Sequence, residues 1–281
     1  MGLLSGLSGL GLNELADADI YGGDKKEEEK KKVQEPVRIE EKELIFHKTY
    51  KCPVCNGEAS GKIMKSGKAR LIGTDQDLRP RYEGIDIVKY DVVLCSNCGY
   101  AALTRFFTNL TSAQAKLIND KISTNVKVPL HKNETYTYEE AIDRYQLALA
   151  NAVVKRARAS EKAYICLKSA WLMRGYAEYL KEHKIATDEA IAELAAKEEE
   201  YISNAYNGFV EARQSEGFPM CGMDEVTVDY LLAVLAVHLK KYDVASKMVG
   251  TVLTSANANN RMKDKARDLK EQILAEMKKS K

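Results

Sequence analysis

Four cysteines stand in two pairs, Cys52-Pro-Val-Cys55 and Cys95-Ser-Asn-Cys98-Gly-Tyr. The C-x-x-C spacing puts two thiolates on one tight turn, so that both grip a single tetrahedral metal. The chemistry predicted is a structural Zn²⁺ held by Cys52, Cys55, Cys95 and Cys98, because zinc imposes no geometry of its own and accepts four sulfurs. Iron in a rubredoxin-like four-sulfur site is the alternative metal. A redox role for either pair would require a thioredoxin-like βαβ context, which neither pair has. Such a turn needs a residue tolerant of positive φ just after its second cysteine, supplied by Gly99 in one turn and by Asn56 in the other. Four sulfurs close the coordination sphere, which predicts a site that folds the chain and performs no reaction.

A second concentration of reactive groups is Thr74-Asp75-Gln-Asp77-Leu-Arg79-Pro80-Arg81-Tyr82. Asp75, Asp77, Arg79, Arg81 and Tyr82 could form a ligand-binding loop in which a guanidinium holds a carboxylate or phosphate. The same residues could equally be an Asp–Arg network that orders the loop, with Pro80 fixing its turn. His47, His131, His183 and His238 are scattered. Cys166 falls on an apolar helical stripe and reads as core, whereas Cys221 falls in a loop where exposure is expected. No nucleophile signature, phosphate-binding glycine loop or H-E-x-x-H is present, so the sequence offers no catalytic constellation and leans away from an enzyme.

The elements that must position these groups divide the chain into 1–45, 46–110 and 111–281. In the first, the leucine-rich leader Leu3–Tyr21 precedes the charged run Asp24–Lys32, which is too polar to fold alone. In the second, β-branched and aromatic residues lead into the cysteine turns, as in a zinc ribbon. Lys89–Leu94 reads as a strand with Tyr90, Val92 and Leu94 on one face, and Arg70–Ile72 as a weaker strand. The third segment reads as six or seven helices. Thr111-x-x-Gln114 and Thr137-x-x-Glu140 are capping boxes, and Met262, Ala266, Leu269, Ile273 and Met277 form one apolar stripe. Tyr138-Glu-Glu-Ala141-x3-Tyr145-x2-Ala148 and Leu232-Ala233-x2-Ala236-x5-Tyr242-x2-Ala245 have the bulky-and-small order of tetratricopeptide (TPR) helices. The fold class predicted is mainly α: a small zinc-ribbon-like β module followed by a TPR-like antiparallel helical array.

Forty-three Lys and Arg against forty-one Asp and Glu advertise neither nucleic acid nor membrane. The segment from Lys48 to Leu110 is more basic, and Lys62, Lys65, Lys68 and Arg70 cluster within it, which makes a nucleic-acid-binding ribbon an alternative reading. The leader lacks a basic start and a cleavage site, and no later apolar run reaches the roughly 18 residues that span a bilayer. A cytoplasmic protein is expected, in a compartment where paired cysteines bind metal more often than they form disulfides.

Cys52-Pro-x-Cys55, then Thr74-Asp-x-Asp77-Leu-Arg79-Pro80-x-Tyr82, then Tyr90-Asp-Val-x-x-Cys95-x-x-Cys98-Gly-Tyr-Ala101 together resemble the bacterial family called domain of unknown function 2225. The resemblance covers residues 46–125, and the helical remainder is similar to that family's TPR-like C-terminal half. It implies that Asp77, Arg79, Pro80 and Tyr82 belong to a family motif, and it implies no activity. Asn56 stands where the family pattern has glycine. The leading expectation is a zinc-binding adaptor that holds a protein or peptide in a groove lined by Tyr and Asn side chains. An enzyme acting at the Asp77/Arg79 loop is the remaining alternative.

Overall fold

A computed structural model of the chain describes residues 39–128 and 133–279. The leader Leu3–Tyr21, the run Asp24–Lys32 and His131 lie outside the described residues. Strands β1 (Ile45–Lys51), β2 (Glu58–Met64), β5 (Val92–Leu94) and β6 (Ala101–Leu103) form an antiparallel sheet in the order β1-β2-β5-β6. Each hairpin turn of this sheet carries one cysteine pair. Because the strands alternate in direction, both turns fall at the same end of the sheet. Residues 65–91 leave between β2 and β5 and carry a small hairpin, β3 (Leu71–Thr74) with β4 (Pro80–Tyr82).

The strand expected over Lys89–Leu94 is shorter than its pattern suggests. Asp86 accepts a hydrogen bond from Val88 N and caps a 3₁₀ turn over Ile87–Tyr90, so pairing begins only at Val92. Such a local side-chain bond competes directly with the sheet ladder. Tyr90 therefore leaves the strand and stacks on Tyr136, with 5.4 Å between ring centroids. Period two survives in what remains: Val92 and Leu94 face the helices, and Val93 faces the cysteine turns.

Seven α-helices follow among the described residues: α1 (Ser112–Ile118), α2 (Tyr138–Val154), α3 (Ala159–His183), α4 (Asp188–Ser215), α5 (Glu225–His238), α6 (Tyr242–Thr254) and α7 (Asn260–Lys279). Both expected capping boxes are formed, Thr111 with Gln114 on α1 and Thr137 with Glu140 on α2. Thr187 caps α4 and Asp224 caps α5, each accepting from an amide in the first turn. From α2 onward the short connections make consecutive helices neighbours that reverse direction. The stripe expected on α7 is present, with Ala266, Leu269 and Ile273 buried and Met262 and Met277 partly so.

Helix α3 is central. It packs against α2, α4 and the Ile87–Tyr90 turn, which explains why it is apolar on more than one face. At Gly208 helix α4 comes so close that an added Cβ would lie 2.9 Å from Ala163 Cβ. The next residue, Phe209, is fully buried. Phe209→Ala is expected to cost about 3–5 kcal/mol. A denaturant midpoint shifted to match, with an unchanged slope, would check it.

Candidate metal centre and the buried ion-pair network

The two cysteine turns are built alike. Asn56 N donates to Cys52 O and Gly99 N to Cys95 O, both at 2.9 Å. Cys52 N donates to Gly57 O at 2.9 Å and Cys95 N to Tyr100 O at 2.8 Å. The positive φ expected at Asn56 and Gly99 is present, 59° and 72°. Glycine is required more strictly in the second turn, where a Cβ at residue 99 would collide with Val126.

These turns bring the four sulfurs within 4.8 Å of one another. Cys52 Sγ lies 3.6 Å from Cys98 Sγ, and Cys55 Sγ 3.6 Å from Cys95 Sγ. A tetrahedron with metal–sulfur bonds of about 2.3 Å has edges of about 3.8 Å, so the cluster fits one metal ion. Cys52 and Cys95 are fully buried, and Tyr100 and Phe107 pack beside them. The Cys98 thiol and the amides of Cys55 and Val54 pull Cys52 down to about 5, while the Cys52 sulfur and burial push Cys98 well up. Burial likewise raises Cys95. A divalent cation among the four sulfurs would favour their thiolate forms. Residues on α2 brace the second turn from behind: Asn151 Nδ2 donates to Gly99 O at 3.0 Å, and Arg144 Nη1 donates to Val92 O at 3.3 Å.

The 74–82 loop is drawn inward, against α3. Asp77 and Arg79 are 5% and 3% exposed, so their charges must be answered by protein groups. Arg174 on α3 binds Asp77 through both terminal nitrogens, at 3.2 and 2.7 Å, and binds Glu198 of α4 at 2.7 Å. Arg79 binds Asp86 at 3.0 Å and Glu178 at 3.2 Å. Arg81 reaches the same Glu178 at 2.5 Å and Asp75 at 3.0 Å. Both guanidiniums that could have gripped an anion are thus engaged by carboxylates. Tyr82 packs instead beside Leu44, Ile45 and Tyr90. The loop also borders a cavity of about 270 Å³ with Glu198, His238 and Gln272.

The sequence did not single out Arg174, Gly175, Glu178, Glu198 or Asn151. The one signal was Arg174-Gly175 interrupting the apolar run Ala170–Met173. That glycine has a steric cause, because a Cβ at residue 175 would land on Asp86 Oδ2 and lie 2.6 Å from Arg79 Nη2.

Other residues fall elsewhere. Lys62 is 4% exposed, lies over the Tyr136 ring at 4.2 Å and donates to Asn133 O, which separates it from the exposed Lys68 and Arg70. Lys65 donates to Glu43 O at 2.9 Å. His47, His183 and His238 are exposed, and Cys166 is core. Cys221, expected to be exposed, is partly covered and donates to Ser160 O at 3.3 Å, with burial pushing its thiol up to about 11.

A family model described as "Uncharacterized protein conserved in bacteria (DUF2225)" matches residues 45–273, and the chain belongs to that family. No curated protein and no solved structure matches the chain.

Two glycines test the network. In an open helix, Gly→Ala stabilises by up to about 1 kcal/mol, which is the expectation at Gly250, where an added Cβ meets nothing within 4 Å. Gly175→Ala should instead lose about 1–3 kcal/mol through overpacking. Thermal melts of the two variants moving in opposite directions would bear this out. Acid should act on the same network. Burial opposes the charge of Glu178, yet the Arg81 hydrogen bond and the fields of Arg79 and Arg81 hold its carboxyl below its ordinary 4.5. A depressed carboxyl contributes stability above its unfolded pKa and loses it as pH falls through the folded one. Stability should therefore decline below about pH 4.5, and Glu178→Gln should flatten that decline in urea melts taken across pH.

Proposed function

We propose that the protein is a zinc-braced, non-catalytic scaffold whose TPR-like helical half receives a segment of another protein. The metal half of this reading is supported by the donor set: four sulfurs and no oxygen or nitrogen suit zinc, and a reducing, cytoplasmic setting would keep the thiols available. All four donors come from the chain, so a bound zinc would supply charge neutralisation and cross-linking, leaving Asn151 and Arg144 to hold the clamped turn against α2.

The observation that carries the binding half is a groove above α3, walled by α2 and α4, with a volume of about 640 Å³. Ile142, Gln146, Leu149 and Val153 line it at helical spacing from α2, and Cys166 and Met173 come from its floor. Tyr201, Asn204 and Asn207 of α4 supply the expected tyrosine and asparagines. Val153 is 59% exposed, an apolar side chain at the mouth of the groove.

Metal analysis of purified protein should find one zinc per chain and no visible absorption; stoichiometric iron would overturn the assignment. Cys95→Ser should lower both the metal content and the melting temperature. For the groove, a photo-crosslinking residue at Asn207 should couple the chain to a protein in cells, and one at Lys68, outside the groove, should not. Equal coupling at both positions, or none at Asn207, would argue against a receiving groove.

A further inference from the structure

Resting on the metal reading above, we infer that Cys55 is the site at which a peroxide attacks the thiolate cluster, closing a Cys55–Cys95 disulfide that releases the metal. The four ligands are not equally sheltered. Cys52 and Cys95 are fully buried and Cys98 is 5% exposed, whereas Cys55 is partly open to solvent. The opening lies over a glycine. A Cβ built on Gly57 would rest 3.4 Å from Cys55 Sγ and 3.6 Å from Asn97 Nδ2, so the missing side chain is one that would cover this sulfur. Both are ordinary van der Waals distances, and Gly57, unlike Gly99, does not adopt a positive φ. Neither space nor backbone angle therefore demands glycine at this position.

Oxidation-sensitive cysteines combine thiolate character, solvent access and an adjacent resolving cysteine. A bound divalent metal supplies the first, since it holds its sulfurs as thiolates. Cys55 has the second, and Cys95 Sγ, 3.6 Å away, provides the third. The Cys55 sulfur takes one oxygen of the peroxide, the O–O bond breaks and hydroxide leaves. The Cys95 thiolate then attacks the Cys55 sulfenic acid, forms the S–S bond and expels a second hydroxide. Each sulfur gives up one electron, and the peroxide gains two. The reaction runs between the two cysteine pairs, not within either. Cys52 and Cys98 are left, two donors where a closed site needs four. The new bond ties the same two turns that the metal tied, and Asn151 still holds Gly99 O, so reduction should rebuild the site. The other cysteines compete poorly. Burial pushes Cys166 and Cys221 each up to about 11, which keeps both as unreactive thiols near neutral pH, and Cys221 Sγ is engaged by Ser160 O.

The test begins with the full chain purified under reducing conditions and assayed for bound metal. Hydrogen peroxide is then added while a chelating dye reports metal release, and samples taken during release are mapped by peptide mass spectrometry. Modification should begin at Cys55 and proceed to a Cys55–Cys95 disulfide. A phosphine reductant with added zinc should restore the starting metal content. Gly57→Val should keep that content yet slow release about threefold or more by covering the sulfur. Gly57→Ala repeats the comparison with less bulk should the first variant fail to fold. Modification that begins at any other cysteine, a disulfide within one pair, or release unchanged by the Gly57 substitutions would overturn the inference and leave the metal site standing. Metal retained under excess peroxide would do the same. A reduced chain that binds no metal would overturn both readings.

Discussion

A guanidinium that is almost wholly withdrawn from water has to be met by carboxylates, and the two nearest to Arg79 come from beyond its own loop. Asp86 lies past β4, and Glu178 lies on α3, far away in sequence. Since Arg174 of α3 answers Asp77 in return, the exchange runs both ways across one contact. An arrangement of this kind adds less to stability than to uniqueness: the loop has one place to sit, and a hydrophobic substitute would not define it as sharply. Gly175 makes the approach sterically feasible, so a residue with no side chain governs where five charged ones meet.

From that contact the two halves of the molecule acquire a fixed relation. The 65–91 excursion leaves the sheet, docks on α3 and returns, while α2 holds the second cysteine turn through Asn151 and the adjoining strand through Arg144. The opposite side of α2 is the one that lines the groove. One helix therefore touches the thiolate cluster on one face and the proposed binding surface on the other. A metal clamped at the cluster would thus bear on the groove through rigid packing, with no chemistry at the metal itself.

Much of this was legible in the chain because it is local. Cys52, Cys55, Cys95 and Cys98 announce themselves by spacing, and Asn56 and Gly99 by the backbone angle their turns demand. The capping boxes at Thr111 and Thr137 depend on residues three apart and formed as read. The strand over Lys89–Leu94 was misjudged for an equally local reason, the Asp86 side chain claiming the Val88 amide. Cys221 and Lys62 were misplaced because burial is decided by distant neighbours. A lysine in a basic cluster looks like surface until Tyr136, from another segment, covers it.

By itself, then, the sequence determined the two cysteine turns, the helix starts and the mainly α character, each fixed by side chains acting on backbone within a few residues. It also flagged Asp77, Arg79 and Tyr82 as a unit without saying what they face. Only the tertiary structure decided that Arg79 and Arg81 point at Glu178, that Tyr82 turns away into a separate apolar cluster, and that α2, α3 and α4 leave a groove between them. The physical reason is that a buried charge selects its partner by position in space, across separations along the chain over which no periodicity or spacing carries information.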